Sequence, residues 1–240
     1  MHAPIPYRLP PELLLLAYRG GVFPMADDRD DEEVFWVEPR ERAILPLDGF
    51  VLSQSLRKAI RQDRFRVTVD TAFRQVMQAC AQPRPGHPDT WISHRIEDSY
   101  TGLFEAGHAH SVECWEGSEL VGGLYGVAFD RVFCGESMFS RTSNASKVAL
   151  AWLVALLRRA GYVLLDCQFM TGHLASLGAV EILREEYLMK LAAAADGPRP
   201  QPLEDAYSSL LSEAEASSLS PDAPDSSPGK LIAQSLTQTS

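Results

Sequence analysis

Residues 111–139 read SVECW, EGSE, LVGGLYGVAF, DR and VFCGESMF. Three runs rich in β-branched and aromatic residues, broken by two short polar turns, predict an antiparallel meander. Gly122, Gly123 and Gly126 fall inside the middle run. Glycine in a strand marks a bulge or the close approach of another backbone or a ligand. On the C-terminal side, ASKVALAWLVALLRRA predicts a long helix with Ser143 as its cap and Gly161 as its stop. Residues 162–167 follow as an apolar buried strand, and 183–195 as the last helix of the body. On the N-terminal side, Ser53 opens a helix with a basic exposed face, 65–69 alternate like a strand, Asp70 caps a helix to Cys80, and Ser93 caps another to Glu105. Pro10-Pro11-Glu12, LLLLAYR and Gly20-Gly21 predict a short first helix. The pattern is α+β.

The division read from the sequence is a small N-terminal domain at 1–42, a catalytic domain at 43–195, and a tail at 196–240. The tail's Pro, Ser, Ala and acids read as flexible and disordered. Its final stretch, 231–236, is apolar enough to dock on the body.

The chain has 240 residues and a net charge of −10, which at first argues against a nucleic-acid partner. The charge is localised. Residues 27–33 hold six acids and one arginine, and the segment from Asp196 onward holds seven acids and two bases. Together these two segments account for the whole deficit. Arg57, Lys58, Arg61, Arg64 and Arg66 then stand against Asp63 alone. A local patch of this kind governs phosphate binding more than the overall charge does. No apolar run approaches membrane-spanning length. Met1-His2-Ala3-Pro4 lacks the start of a signal peptide, so a cytoplasmic location is expected. Cys80, Cys114, Cys134 and Cys167 form no CxxC pair, and no metal site or disulfide framework is expected.

Glu136 lies among apolar neighbours in the third run. Two readings stand for it: an ion pair with Arg141 or Lys147, or a fixed anion awaiting a cationic substrate. Asp166 and Gln168 are two apart at a strand end and share a face. They serve either as caps for the following turn or as a pair that orients an amine and a carbonyl. Trp91, Tyr100, Tyr125, Phe133 and Phe139, with Leu124 and Met138, would line an apolar pocket if the meander curls. His173 alone reads as structural. There is no GxSxG, GxxxxGK[ST] or GxGxxG.

Six blocks go further: AYRGGVFPM (17–25), TWI (90–92), GHAHSVE (107–113), LVGGLYGV (120–127), FCGESMFSR with NASK (133–141, 144–147), and DCQ through HLASLGA (166–179). In this order and spacing they closely resemble the leucyl/phenylalanyl-tRNA–protein transferase family, over residues 10–195. The resemblance implies a small N-terminal domain and an acetyltransferase-like, GNAT-related catalytic domain. It implies attack by a protein's N-terminal amine on the ester of Leu-tRNA or Phe-tRNA. The acceptors would begin with Arg or Lys and be marked for N-end-rule degradation. No cofactor is implied, because the ester is already activated, and a monomer is expected.

Carried over by position, Asp166 and Gln168 match the catalytic pair and Glu136 the acid that positions substrates. Trp91, Tyr100, Leu124, Phe133 and Met138 match the wall for the terminal adenosine and amino-acid side chain. Arg57, Lys58, Arg61 and Arg64 are candidates for acceptor-stem phosphates. Met25, Leu124, Thr171 and the short Trp36-Val37-Glu38-Pro39-Arg40 depart from the family pattern and leave the choice among leucine, phenylalanine and methionine open. A CoA-dependent N-acyltransferase is the rival enzyme, but residues 141–147 lack the glycine such a pyrophosphate cradle uses. A non-catalytic binder of tRNA or protein N-termini is the rival from another class, and would not need Glu136, Asp166 and Gln168 together.

Overall fold

The computed structural model describes residues 7–83, 89–218 and 227–237. The readings made on Met1-His2-Ala3-Pro4 and on the tail acids Asp222 and Asp225 lie outside them.

Helix α1 (Pro11–Arg19) takes proline at its first positions and buries Leu14, Leu15 and Tyr18. Strands β1 (Phe23–Met25) and β2 (Phe35–Val37) pair antiparallel into a separate two-stranded hairpin. This is the small N-terminal unit, and α1 packs on α4 (His94–Glu105) of the body. Strand β3 (Glu41–Ile44) follows, then α2 (Gln54–Arg61), β4 (Arg66–Val69) and α3 (Phe73–Cys80). After α4 come the meander strands β5 (Ala109–Glu116), β6 (Glu119–Phe129) and β7 (Val132–Ser140). The body continues through α5 (Ala145–Ala160), β8 (Leu164–Gln168), α6 (Gly172–Ala175), β9 (Val180–Leu183) and α7 (Arg184–Ala195). The seven-stranded sheet runs β4-β5-β6-β7-β8-β3-β9. All its pairings are antiparallel except β7 with β8. The molecule is the expected α+β protein with a small N-terminal domain.

Two apolar layers cover the sheet. One joins α2 and α5 to one face, and the other joins α1, α3, α4 and α7. Ser53 and Ser93 cap α2 and α4 as expected, each accepting from the backbone three residues on. Gly161, at φ 89°, ends α5.

Three local expectations change. Asp70 does not cap α3. It sits at φ 58° and turns its carboxylate to β5, taking Ser111 N at 2.7 Å and facing His110 Nδ1 at 2.7 Å. The donor at the start of α3, Ala72 N, is met instead by Glu113 Oε1 from β5. The N-cap of α5 is Asn144, left-handed at φ 72°, in place of Ser143.

The tail differs most. Residues 203–218 form α8 (Leu203–Ser218), and 228–235 form α9 (Pro228–Ser235). Composition hid a helical period: Leu203, Ala206, Leu210 and Ala214 are all buried. Each buried leucine is worth about 1.5–3 kcal/mol over an exposed one, so these residues lie on α5 instead of in solvent. Tyr207 reaches across to Trp152 and donates to Val67 O at 2.8 Å. The docking expected of 231–236 is present, with Ile232 and Ala233 buried. Among the described residues, no helix is long and apolar enough to cross a membrane, and no cluster of His, Cys, Asp and Glu could hold a metal ion.

Candidate active site

The site arises where β7 and β8 separate. Their parallel ladder ends at Cys134 and Asp166, while β7 runs on to Ser140 and β8 to Gln168. On its other side, β7 pairs Gly135 with Gly126 and Ser137 with Tyr125, which leaves Glu136 as the extra residue of a bulge. A bulge re-aims a side chain that regular pairing would place elsewhere. Gly126 makes this possible: a Cβ there would lie 2.3 Å from Cys134 O and 2.4 Å from the Phe133 ring. The glycine signal in the sequence marked this close approach.

Glu136 is buried, and its carboxylate collects three donors. Tyr18 Oη donates to Oε1 at 2.7 Å, Gln168 Nε2 to Oε1 at 2.9 Å, and Tyr100 Oη to Oε2 at 3.3 Å. The two tyrosine hydroxyls also touch each other, so Tyr100 gives its one proton either to Tyr18 Oη or, at the longer distance, to Glu136. Of the ion-pair partners considered, Arg141 is committed elsewhere, donating to Leu120 O and lying over Phe139. Burial, outweighing the hydrogen bond from Tyr18, pushes the Glu136 carboxyl up to about 8, and the charge of Asp166 adds to the rise. Burial first, then the charge of Glu136, holds Tyr18 and Tyr100 well above the usual phenol range, so both remain donors.

Asp166, fully buried, is held differently. Arg42 grips it with two parallel bonds, Nε to Oδ1 at 2.9 Å and Nη2 to Oδ2 at 2.6 Å. Tyr187 Oη donates at 3.0 Å, and Gln168 donates through its backbone N–H at 2.9 Å. Burial alone would lower the Arg42 pKa, but Asp166 outweighs it and raises it. Arg42 also stands over the rings of Phe23 and Tyr187. The bond to its backbone N–H anchors Gln168 at φ 57°, a conformation uncommon for a residue with a Cβ. From there the amide points at Glu136. The expected shared face of Asp166 and Gln168 thus becomes a relay of position, with Asp166 holding the backbone and Gln168 presenting the amide.

A cavity of about 560 Å³ opens beside this group, lined by Glu136, Gln168, Leu124, Met138, Leu150, Leu153, Phe169 and His173 among others. Leu124 and Met138 are therefore on its wall. Tyr100 lies behind Glu136, and Phe133 is core packed against Gly126. Trp91 is half-buried at the seam with the N-terminal unit, its carbonyl accepting from Ala26 N at 3.3 Å. Burial, then Lys147, lowers the His173 pKa, and its Nε2 is buried with no partner among the described residues. A larger cavity of about 1090 Å³ near Pro46, Arg158, Leu210 and Ser235 is lined by none of Glu136, Asp166 and Gln168. Arg57, Lys58, Arg61 and Arg64 lie on a separate, exposed surface.

Arg42, Tyr18 and Tyr187 were not singled out in the sequence. Tyr18 stands four residues after Leu14 on the buried face of α1, which is the only local signal it carries. Arg42 looks like any strand residue until β3 is set beside β8.

Because the native fold keeps a proton on Glu136 that the unfolded chain loses near 4.5, stability should fall as pH rises from about 4.5 to about 8. The gap in urea midpoint between wild type and Glu136→Gln is expected to shrink or reverse over that range. A gap constant from pH 5 to pH 8 would contradict the raised carboxyl.

The family described as leucyl/phenylalanyl-tRNA protein transferase matches residues 44–192, and its N-terminal domain matches residues 7–40. The leucyl/phenylalanyl-tRNA–protein transferase of Novosphingobium aromaticivorans is 56% identical, covering 98% of this chain and 98% of its own. That of Rhizorhabdus wittichii is 60% identical over 77% of this chain and 74% of its own. The Zymomonas mobilis protein of the same name is 58% identical over 77% and 69%. With both family domains matched in order and more than half the residues shared with a relative of equal extent, the chain belongs to the leucyl/phenylalanyl-tRNA protein transferase family.

Proposed function

We propose that this chain moves leucine or phenylalanine from charged tRNA to the N-terminal amine of proteins that begin with arginine or lysine, marking them for N-end-rule degradation. The observation that carries this reading is the buried Glu136–Gln168 pair at the edge of an apolar cavity of about 560 Å³. That volume lies in the range of small-ligand sites. In the proposal, Leu124, Met138, Leu150, Leu153 and Phe169 form the wall for the transferred side chain. Tyr100, Phe133 and Trp91 support that wall from behind and from the seam.

The amine nitrogen bonds to the ester carbonyl carbon, the bond from that carbon to the ribose oxygen breaks, and the tRNA hydroxyl leaves with a proton while the amine loses one. Gln168 aligns the amine. Glu136, with its carboxyl near 8, is matched to an α-amino group of about 7.7–8.0, so a proton passes between them at little cost. An amide is a poor base, which leaves Gln168 an orienting part. Asp166 acts through Gln168 and is a positioning residue. Holding amine and ester in line supplies a large share of the acceleration. His173 Nε2 is available to a hydroxyl of the terminal ribose. No resident cofactor enters the scheme.

The purified chain is expected to transfer labelled leucine or phenylalanine from charged tRNA to a peptide beginning with Arg or Lys, and not to one beginning with Asp. Acylation of the same peptide from acyl-CoA, with none from charged tRNA, would overturn the reading.

A further inference from the structure

We propose that the free edge of β7 beside Glu136 is a docking strand for the acceptor polypeptide. The first residues of the acceptor pair with it through their backbone, parallel to β7, and so bring the N-terminal amine to Glu136 and Gln168. The identity of the partner rests on the transfer reading; the unpaired edge belongs to the sheet itself.

Strand β7 is paired along its whole length on one side only. With β6 its register runs from Val132 to Ser140, whereas with β8 it stops at Cys134 and Asp166. Along a strand, alternate residues direct their N–H and C=O to opposite neighbours. Those residues of β7 past Gly135 that do not bond to β6 therefore direct theirs into the opening. Strand β8 has turned away there: Gln168 lies at φ 57°, and Phe169 N closes onto Cys167 O at 2.8 Å. Among the described residues, no loop or turn bonds to the backbone of 136–139.

All six residues 135–140 line the cavity of about 560 Å³. Side chains alternate between the faces of a strand, so an unbroken run of six along one wall is contact with the strand's edge. Such an edge is a template for another extended chain. It is sunk between Leu150 and Leu153 of α5 on one side and Phe169, His173 and Leu174 on the other. That recess admits a single peptide and keeps out the sheet of a second copy.

Glu136 stands at the inner end of the edge, where β7 and β8 part. From there to Ser140 the strand offers about 13 Å, room for about four acceptor residues. An acceptor with its amine at Glu136 and its chain leaving past Ser140 runs parallel to β7. It takes up the line that β8 abandons, in the direction of β8. Main-chain pairing suits a substrate whose sequence varies after its first residue, because every polypeptide carries the same donors and acceptors. The 3′ end of a tRNA has no such alternating series, which leaves it to the apolar wall.

The test uses the full chain and a peptide, Arg-Ala-Ala-Ala-Ala-Ala with a C-terminal fluorophore, N-methylated at the amide of residue 2, 3 or 4. Anisotropy gives its affinity, and transfer from charged tRNA gives KM. An N-methyl group removes a donor and pushes away a facing strand, so its effect should alternate. Either residue 3 alone, or residues 2 and 4 together, should weaken binding and raise KM by about tenfold or more, the remainder by less than about threefold. Equal effects at all three positions, or none, would overturn pairing with β7 and leave the transfer reading intact. Failure of the unmodified peptide to bind saturably would overturn it as well. Alternation in binding without any transfer would uphold the docking edge and sink the reaction instead.

Discussion

Arg42→Ala should destabilise the protein by about 3–5 kcal/mol and remove most transfer activity. The Arg42 and Asp166 side chains are 2% and 0% exposed, so deleting the guanidinium leaves a carboxylate in the core with no counter-charge. Tyr187 Oη and Gln168 N remain as its donors, too few to replace a bidentate cation. The damage extends to the reaction because Asp166 fixes the backbone of Gln168, and Gln168 carries the amide that meets Glu136. Arg42→Lys keeps the charge but gives up the two parallel bonds and the stacking over Phe23 and Tyr187, and should recover only part of the loss. The double replacement Arg42→Met/Asp166→Leu should cost less stability than the two single changes summed, since neither charge is then stranded. Urea unfolding of wild type, Arg42→Met, Asp166→Leu and the double replacement measures this directly. A loss under about 1 kcal/mol for Arg42→Ala would show that the pair is not the anchor described.

Glu136→Gln should lower the transfer rate by about 10²–10⁴, the usual contribution of a positioned proton acceptor, with little change in affinity for tRNA. The replacement keeps the shape: its carbonyl oxygen can go on accepting from Tyr18 and Gln168, and its NH2, where Oε2 stood, can donate to the Tyr100 hydroxyl, so the fold should persist. It removes the carboxyl at the cavity edge whose pKa of about 8 suits it to take the proton of the incoming amine. Tyr18→Phe withdraws one of three donors from the carboxylate and should raise its pKa further, moving the rise in rate to higher pH. Single-turnover transfer measured from pH 6 to 9 separates these effects from substrate binding. A wild-type rate in Glu136→Gln would refute the proton role and leave the residue a mere support for Gln168.

Much of the fold was legible because its signals are local. The turns at 116–119 and 130–131, the serine caps of α2 and α4 and the glycine end of α5 each depend on residues within a few positions. Even the bulge that aims Glu136 was announced, by a glycine whose Cβ would strike Phe133. Where a local signal misled, a distant partner had taken over. Asp70 gave up the cap of α3 because the backbone of Ser111, 41 residues on, was a nearer donor. The tail was misread for a similar reason: its acids and serines dominate the composition, while its buried leucines and alanines answer to α5.

The leucyl/phenylalanyl-tRNA–protein transferase motifs, the meander strands with their neighbours β4 and β8, the cavity residues Leu124 and Met138 and the local basic run in an acidic chain were determined by the sequence alone. Tertiary structure decided what those residues do to one another. Arg42 lies 124 positions from Asp166, and Tyr18 lies 118 from Glu136. No periodicity or propensity spans such distances, because side-chain pairing in a core is set by which strands and helices become neighbours after the chain has closed. The same closure buried Glu136 and raised its carboxyl to about 8, since desolvation is a property of the surroundings and not of the residue.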